Sequence, residues 1–303
     1  MRAISVIAKG NRMTDLPPWR SLQALSGVAR TALYMSLIRQ HENRRPDALF
    51  RDPLSEALVA ELVGSPELEE LASGLGATSE SLGDALDRPE FRYFAVRTRY
   101  FDDRLIEAMQ DGVRQVVSLA AGMDGRAMRL KCPPGTRWYE LDKPEVVAAK
   151  EALIVHAGVI PTCNWSGIGA DLASDWYGKL QVAGFDSRRP SAWLIEGLLM
   201  YLSEEVADRM LARITGASAP GSWLLLEHLD TRMTRVAAGA VQDAVKAQNS
   251  AFVSARDDVG EWLAGYGWRA MVHAGSDPEI GFGRSVPAMP AGWLACAVQS
   301  SRT

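Results

Sequence analysis

The chain has 303 residues, of which 47% are hydrophobic and 23% are charged, and its formal net charge is -4 at pH 7. This composition is that of an ordinary globular protein large enough for one large domain or two small ones. The slightly negative charge and the short basic clusters argue against a nucleic-acid partner, and no window approaches the ~18 apolar residues of a membrane helix.

The first third of the chain predicts helices. Apolar residues recur at helical spacing over 28–43, and an Asp-Pro pair favours the start of a second helix over 52–63. The segment 64–81 is small and polar and predicts a loop. A long amphipathic helix is expected over 90–112, ending at a glycine. Residues 1–111 are therefore interpreted as a helical N-terminal extension.

From residue 112 onward, short apolar runs alternate with helical stretches. Strands are predicted at 115–120, 136–141, 191–196, 222–229, 268–274 and 293–299, with a further strand before Asp171, and helices at 124–131, 144–157, 203–218 and 257–265. This alternation is typical of a mostly parallel sheet with helices on both faces, that is, an α/β fold. Only a loop joins the last two runs, which predicts a closing antiparallel hairpin. The domain is expected to span 112–303, with a helical insert at about 231–256.

The first predicted strand runs into a glycine turn in the sequence QVVSLAAGMDGRAMRL, residues 115–130. Ligands of open α/β sheets bind at the carboxyl ends of the strands, and glycine lets a ligand approach the backbone there. Gly122 and Gly125 do not complete the dinucleotide fingerprint, and Asp124 would repel a pyrophosphate, which disfavours NAD. S-adenosylmethionine fits better, because it has no phosphate and its cationic centres tolerate carboxylates.

Asp142 ends the second predicted strand, 20 residues after Gly122. An acidic residue at this position binds ribose hydroxyls in nucleotide-binding α/β folds. Asp142 also precedes Lys143-Pro144 and a predicted helix, so a role as helix cap is a second interpretation. The two roles are compatible.

Several runs resemble the leucine carboxyl methyltransferase-type family, which includes bacterial O-methyltransferases of secondary metabolism. They are GVRQVVSLAAGMDGRAMRL, WYELDKPEVVAAK and WLIEGLLMYLSEE, preceded by VARTALYMSLIRQHENRRPDALFRDPLSEAL and FRYFAVRTRYFDDRL. The resemblance covers about residues 27 to 226. It implies a Rossmann-like class I methyltransferase fold with a seven-stranded sheet, and S-adenosyl-L-methionine as cofactor. One departure is Gly125, where the family commonly has Thr or Ser; the glycine is expected to loosen the turn without abolishing binding.

The resemblance also implies a cofactor site. Arg97 matches the arginine that binds the methionine carboxylate, and a guanidinium is suited to such a bidentate pair. Its neighbour Arg99 could substitute for it, and Arg30 is a second basic candidate from the N-terminal helix. The other residues that the family pattern places around the cofactor are Ala121 and Gly122 under the methionine, Asp142 at the ribose, Asp171 and Leu172 at the adenine, and Glu196 at the amino group.

Methyl transfer requires an aligned acceptor and the exclusion of water. A carboxylate acceptor needs no base, whereas a hydroxyl acceptor needs a general base. His228 and Glu227 are candidate bases, and Tyr201 is a candidate catalytic or substrate-contacting residue. Aromatic residues expected to line the acceptor pocket are Trp19, Phe252, Trp262, Tyr266 and Trp268.

We therefore expect O-methylation of a carboxylate or hydroxyl group on a small-molecule acceptor. Methylation of carbon or nitrogen in an indole-type heteroaromatic, and methylation of a protein C-terminal carboxyl group, are alternative acceptor chemistries. A nicotinamide oxidoreductase is disfavoured by the missing glycine spacing. A non-catalytic nucleotide-binding protein is disfavoured by the intact set of residues that match the family's cofactor site. The sequence leaves monomer and dimer both open.

Cysteines and histidines predict neither a disulfide framework nor a metal site. Cys132, Cys163 and Cys296 are far apart and odd in number. The four histidines have no metal-ligand spacing with one another or with a cysteine. The N-terminus lacks the long apolar region and cleavage site of a signal peptide. We expect a cytoplasmic protein without a metal or a membrane partner.

Overall fold

The computed structural model describes residues 28–232, 252–288 and 292–299, with side chains from residue 31. Residues 233–251, and with them most of the predicted insert at 231–256, lie outside the described residues. In the part of the chain that is described, no helix combines the length and the apolar character needed to span a membrane.

Among the described residues, five α-helices precede the sheet. They are α1 (Val28–Asn43), α2 (Pro53–Leu62), α3 (Pro66–Gly74), α4 (Leu82–Leu86) and α5 (Arg92–Gln110), with a 3₁₀ turn at Pro89–Phe91. The prediction of a loop over 64–81 is wrong for Pro66–Gly74, which form α3. The Ser65 side chain accepts a hydrogen bond from the Leu68 N–H, and Pro66 takes the first helical position. Helix α3 buries only three residues, too few for its periodicity to stand out in the sequence.

The remaining elements alternate as predicted. The strands are β1 (Gln115–Leu119), β2 (Arg137–Asp142), β3 (Asn164–Gly169), β4 (Ala192–Ile195), β5 (Trp223–Leu229), β6 (Trp268–Ala274) and β7 (Gly292–Gln299). The helices between them are α6 (Arg126–Arg129), α7 (Pro144–Ala157), α8 (Trp176–Val182), α9 (Glu204–Gly216) and α10 (Val259–Gly265), with 3₁₀ turns at Leu199–Tyr201 and Pro278–Ile280.

The seven strands form one sheet in the order β3-β2-β1-β4-β5-β7-β6. Strands β1 to β5 pair in parallel, whereas β7 runs antiparallel to both β5 and β6. The predicted seven-stranded α/β fold with a closing antiparallel hairpin is confirmed. The strands that follow β1 are added first on one side of it (β2, β3) and then on the other (β4, β5), and such a switch point in strand order is where α/β folds bind ligands.

Helices cover both faces of the sheet. Successive strand residues alternate between two hydrophobic clusters, so Val116 packs with α1, α2, α5 and α7, and Val117 packs with α8, α9 and α10. The N-terminal helices therefore share a core with the sheet, and they lie over the end of it where the glycine turn is found.

Candidate cofactor and acceptor site

A cavity opens at the carboxyl ends of β1, β2, β4 and β5, beneath α1 and α5. Its sheet side is lined by the turn Ala120–Asp124, by Asp142 and Lys143 after β2, by Glu196 and Gly197 after β4, and by Glu227 and Leu229 of β5. Its other walls come from α1, α3, α5 and the turn at Leu199–Tyr201. The predicted residues Arg97, Ala121, Gly122, Asp142, Glu196 and Tyr201 all line this cavity.

The turn after β1 exposes backbone to the cavity. Ala120 (φ 54°) and Gly122 (φ 51°) both adopt left-handed conformations, and a non-glycine residue in this region is uncommon. A Cβ atom at Gly122 would lie 3.3 Å from the Cβ of Ala32 in α1. The turn thus lies between the sheet and α1, and a side chain at position 122 would be in tight contact with Ala32.

Asp142 is the partner of this turn. Its Oδ2 accepts a hydrogen bond from the Gly122 N–H at 2.7 Å, and its Oδ1 accepts one from the Lys143 N–H at 2.7 Å. Burial raises the pKa of the carboxyl group above its usual range, although both N–H groups oppose that effect. The cap of α7 is Lys143, not Asp142, so the helix-cap interpretation is wrong in position. Each oxygen keeps a lone pair for a further donor, such as a hydroxyl.

Arg97 is buried at the centre of an ion-pair cluster. Its Nη1 donates to both Glu227 oxygens, at 2.9 and 2.8 Å, and its Nη2 lies 2.9 Å from Glu196 Oε1. Burial alone would lower the pKa of Arg97, but the two carboxylates raise it above its ordinary value. In this arrangement both amino nitrogens of Arg97 contact protein carboxylates.

Two further arginines join the cluster and were missed by sequence reasoning. Arg126 is fully buried, and it contacts Asp102 and Asp124 at 2.7 Å and Glu196 at 2.8 Å. Arg39 of α1 lies 3.5 Å from Glu196. Although burial opposes it, these cations lower the pKa of Asp124 and Glu196. A signal for Arg126 exists in the sequence, since an Asp two residues before an Arg can accept both its backbone and its side-chain N–H groups.

Glu227 and His228 lie on opposite faces of β5, as adjacent strand residues must. Glu227 faces the cavity, where it also accepts hydrogen bonds from the Tyr93 hydroxyl at 2.5 Å and the Gly197 N–H at 2.8 Å. His228 does not line the cavity; its ring meets that of Trp262 edge-on at 6.2 Å. Burial lowers the pKa of His228 to about 4. The structure therefore separates His228 from the predicted site residues that line the cavity.

Other predicted residues also lie apart from the cavity. Asp171 is exposed and its Oδ1 accepts a hydrogen bond from the Ala173 N–H at 2.9 Å. Leu172 packs against the core beneath α8. Both follow β3, whose Gly169 pairs with Asp142, so they extend beyond the edge of the cavity that Asp142 lines. The Arg30 side chain lies outside the described side chains. Arg99 pairs with Asp103 at 2.8 Å.

The aromatic lining differs from the prediction. Phe252 lines the cavity, and Trp19 lies outside the described residues. Trp262, Tyr266 and Trp268 pack elsewhere, with Trp268 buried in β6. The aromatic side chains that do line the cavity are Tyr34, Phe91, Tyr93, Phe94, Tyr201 and Phe252. The Tyr201 and Phe252 rings are 5.5 Å apart, and burial raises the pKa of Tyr201 to about 12.

The structure explains why position 125 holds a glycine and not a residue with a side chain. A Cβ atom there would lie 2.7 Å from the Cγ of Asp52, a distance that real contacts do not reach. Asp52 is fully buried and caps α2 by accepting the Ser55 N–H at 2.9 Å. The expectation that Gly125 loosens the turn is therefore wrong, because the Asp52 carboxylate packs against it.

Comparisons with known proteins identify the family of the chain. The family model described as leucine carboxyl methyltransferase matches residues 32–215. A relative from Parafrankia sp., named as an S-adenosyl-L-methionine-dependent methyltransferase, is 40% identical over 286 residues, covering 90% of this chain and 87% of the relative. A Streptomyces coelicolor protein named for the same activity is 39% identical over 273 residues, covering 88% and 91%.

Two solved structures share the fold. A DUF574 family protein from Streptomyces avermitilis superposes with a TM-score of 0.55 at 17% identity, covering 75% of this chain and 94% of that one. A protein from Thermobifida fusca, described in its title as a methyltransferase, gives 0.51 at 17% identity, covering 76% and 92%. Together with the family match and the closer relatives, these findings show that the chain belongs to the leucine carboxyl methyltransferase family and is an S-adenosyl-L-methionine-dependent methyltransferase.

Proposed function

We propose that the enzyme methylates an oxygen atom of a small, largely apolar metabolite, with a carboxylate as the favoured acceptor group and a secondary-metabolic role. The observation that carries this proposal is the contrast within the cavity. Aromatic side chains line the walls contributed by the helices, whereas the cavity carboxylates Glu196 and Glu227 are engaged by buried arginines.

The residues at the sheet side fit the cofactor. When bound, it supplies a methyl group on a positively charged sulfur. The left-handed turn at Ala120–Gly122 lets a ligand lie against the backbone, and Asp142 offers two carboxylate oxygens to a ribose diol. Arg97 and Glu196 form a paired cation and anion that suit a zwitterionic amino-acid group. Asp171 and Leu172, beyond the β3 end, are proposed to flank the adenine, and Arg30 is proposed as a second basic contact.

A carboxylate acceptor is favoured because neither candidate base, Glu227 or His228, is placed to remove a proton from an acceptor. Glu227 already accepts from Arg97, Tyr93 and Gly197. His228 lies on the other face of β5. A carboxylate acceptor is nucleophilic without proton removal, so the walls need only align it and exclude water. We call the aromatic part of the cavity, made of Tyr34, Phe91, Phe94, Tyr201 and Phe252, the acceptor wall, and Tyr201 is proposed to touch the acceptor.

A second candidate is methylation of carbon or nitrogen in a flat heteroaromatic. The neighbouring Tyr201 and Phe252 rings, tilted by 46° to each other, favour it, because aromatic walls bind planar rings well. The two candidates share the cofactor site and differ in the bond that is formed.

A methyl-transfer screen with isotopically labelled cofactor tests the proposal. Aromatic and acyl carboxylic acids, phenols, indoles and a protein extract are offered separately, and products are treated with mild base. A methyl ester releases labelled methanol, whereas ethers and C- or N-methyl products retain the label. Turnover of carboxylic acids with base-labile label supports the proposal. Label retained on indoles supports the second candidate, and transfer confined to proteins would contradict both.

A further inference from the structure

Two cysteines that are distant in the sequence meet outside the cavity. Cys132 follows α6, Cys163 precedes β3, and both are partly exposed. Thr162 Oγ1 lies 3.6 Å from Cys132 Sγ and 3.0 Å from the Ala127 carbonyl oxygen. Cys163 Sγ lies 3.8 Å from the same carbonyl oxygen. Cys132 Sγ thus contacts the Thr162 hydroxyl, Cys163 Sγ contacts the Ala127 carbonyl group, and the hydrogen bond between these two oxygens places the two thiols on one small cluster of groups.

The two sulfurs differ in acidity. The hydrogen bond from Cys163, supported by Thr162 and opposed by burial, lowers the pKa of Cys132 to about 7. The same hydrogen bond, together with burial, raises the pKa of Cys163. The contacts point the same way, because Cys163 donates its proton toward the Ala127 carbonyl oxygen, whereas Cys132 accepts from the Thr162 hydroxyl. A thiolate is the reactive form of cysteine, so Cys132 is the nucleophile of the pair.

We propose that Cys132 and Cys163 form a dithiol modification site that reacts with low-molecular-weight disulfides. The Cys132 thiolate attacks one sulfur of the small disulfide, forming a mixed disulfide and releasing the other sulfur as a thiolate. Cys163 then gives its proton to solvent and attacks Cys132 Sγ, which forms the Cys132–Cys163 bond and releases the second small thiolate. Two protein thiols are oxidised and one small disulfide is reduced to two thiols.

The order of the steps follows from the contacts. While Cys132 is a thiolate, its negative charge and its hydrogen bond hold the proton on Cys163. Formation of the mixed disulfide removes that charge, so Cys163 becomes easier to deprotonate at the moment when it is needed. Cys296 provides an internal reference, because it is buried in β7 and burial raises its pKa to about 12.

The experiment treats the full-length, reduced protein with oxidised glutathione at pH 7 and follows intact mass and non-reduced peptide maps. Wild type is expected to lose the mass of two hydrogen atoms and to yield a peptide cross-linked between Cys132 and Cys163. Cys163→Ser is expected to stop at a stable adduct of one glutathione on Cys132. Cys132→Ser is expected to react at least about 10-fold more slowly, because the thiolate fraction of an ordinary cysteine is small at this pH.

Cys296→Ala is the matched control and should behave like wild type, and circular dichroism confirms that each variant is folded. The proposal is overturned if Cys132→Ser is modified as fast as wild type. It is also overturned if wild type and Cys163→Ser accumulate the same mixed disulfide, or if neither protein reacts while both are folded.

Discussion

The two ends of the cavity are built by different means. At the sheet side, a hydrogen bond and ion pairs fix the positions of the residues. Asp142 accepts a hydrogen bond from the Gly122 N–H, and two carboxylates pair with Arg97. The acceptor wall is built from side chains of α1, α5 and two turns and from Phe252, and it relies on aromatic packing. A site fixed by the sheet can stay constant while a wall made of helical side chains varies with the acceptor. Mutations should therefore separate cofactor binding from acceptor binding.

The largest effect is expected from Arg126→Met, which leaves the buried Asp124 without its ion-pair partner and takes one of their cationic partners from Asp102 and Glu196. Removing one partner of such a network costs about 3–5 kcal/mol of folding free energy. Urea unfolding followed by circular dichroism measures the loss. Arg188→Met, which breaks an exposed pair with Asp186, is the control and should cost less than about 1 kcal/mol. Equal losses would mean that the cluster is not structural.

Asp142→Ala removes the carboxylate that joins the glycine turn to β2 and faces the proposed ribose position. Loss of hydrogen bonds to a charged group should weaken cofactor binding by about 10- to 100-fold. Calorimetric titration with S-adenosylhomocysteine measures it. Asp171→Ala, at the proposed adenine position, should lower affinity by a smaller factor. Unchanged affinity in either variant would remove that residue from the proposed cofactor site.

His228 lies outside the cavity, so its replacement is expected to change the stability of the fold and not the rate of methyl transfer. Its pKa in the folded protein, about 4, lies below the ordinary value of 6.5, so the unfolded chain binds more protons between these two pH values. Stability should thus fall as pH drops from about 6.5 to about 4, by at most about 3 kcal/mol. Thermal unfolding across this pH range should show a shallower slope in His228→Leu. Loss of methyl transfer in a folded His228→Leu enzyme would restore it as a base.

Gly125→Ala tests the tight contact between Gly125 and the Asp52 carboxylate. The new methyl group must displace the buried Asp52 carboxylate, and such overpacking typically costs about 1–3 kcal/mol. Gly83→Ala, in α4, meets nothing within 4 Å and should be neutral or slightly stabilising. Unfolding midpoints of the two variants give the comparison. A stable Gly125→Ala protein would show that Asp52 can move.

The smallest effect is expected from Tyr201→Phe, which keeps the ring against Phe252 and removes only the hydroxyl. The acceptor KM should rise by up to about tenfold while cofactor affinity is unchanged, since a neutral hydrogen bond contributes about 1 kcal/mol. Steady-state kinetics with the acceptor found by the screen, together with calorimetry, measures both. A parallel loss of cofactor affinity would contradict the separation of the two ends.

The sheet side was predictable because its residues sit at the ends of recognisable strands. Gly122 and Asp142 each follow an apolar run, and parallel strands bring their carboxyl ends together. The choice between Glu227 and His228 was not predictable, since neighbours on a buried strand face opposite ways and both faces of this sheet are covered. The acceptor wall was predicted only in part: Tyr201 and Phe252 were expected there. Tyr34 and Phe94 were missed because they lie on helices far away in sequence, whose rotation only packing determines.

The position of β7 has a consequence for how the protein is made. Strand β7 lies between β5 and β6, so β6 has no neighbour in the sheet until β7 is inserted. On a ribosome, β1 to β5 can pair in order as they emerge, but Glu227 stays on an open edge strand until residues 292–299 have been synthesised. If the protein folds while it is synthesised, β5 should be the last of the strands that line the cavity to gain both of its neighbours in the sheet. Nascent chains stalled before residue 292 should therefore be protease-sensitive at β5.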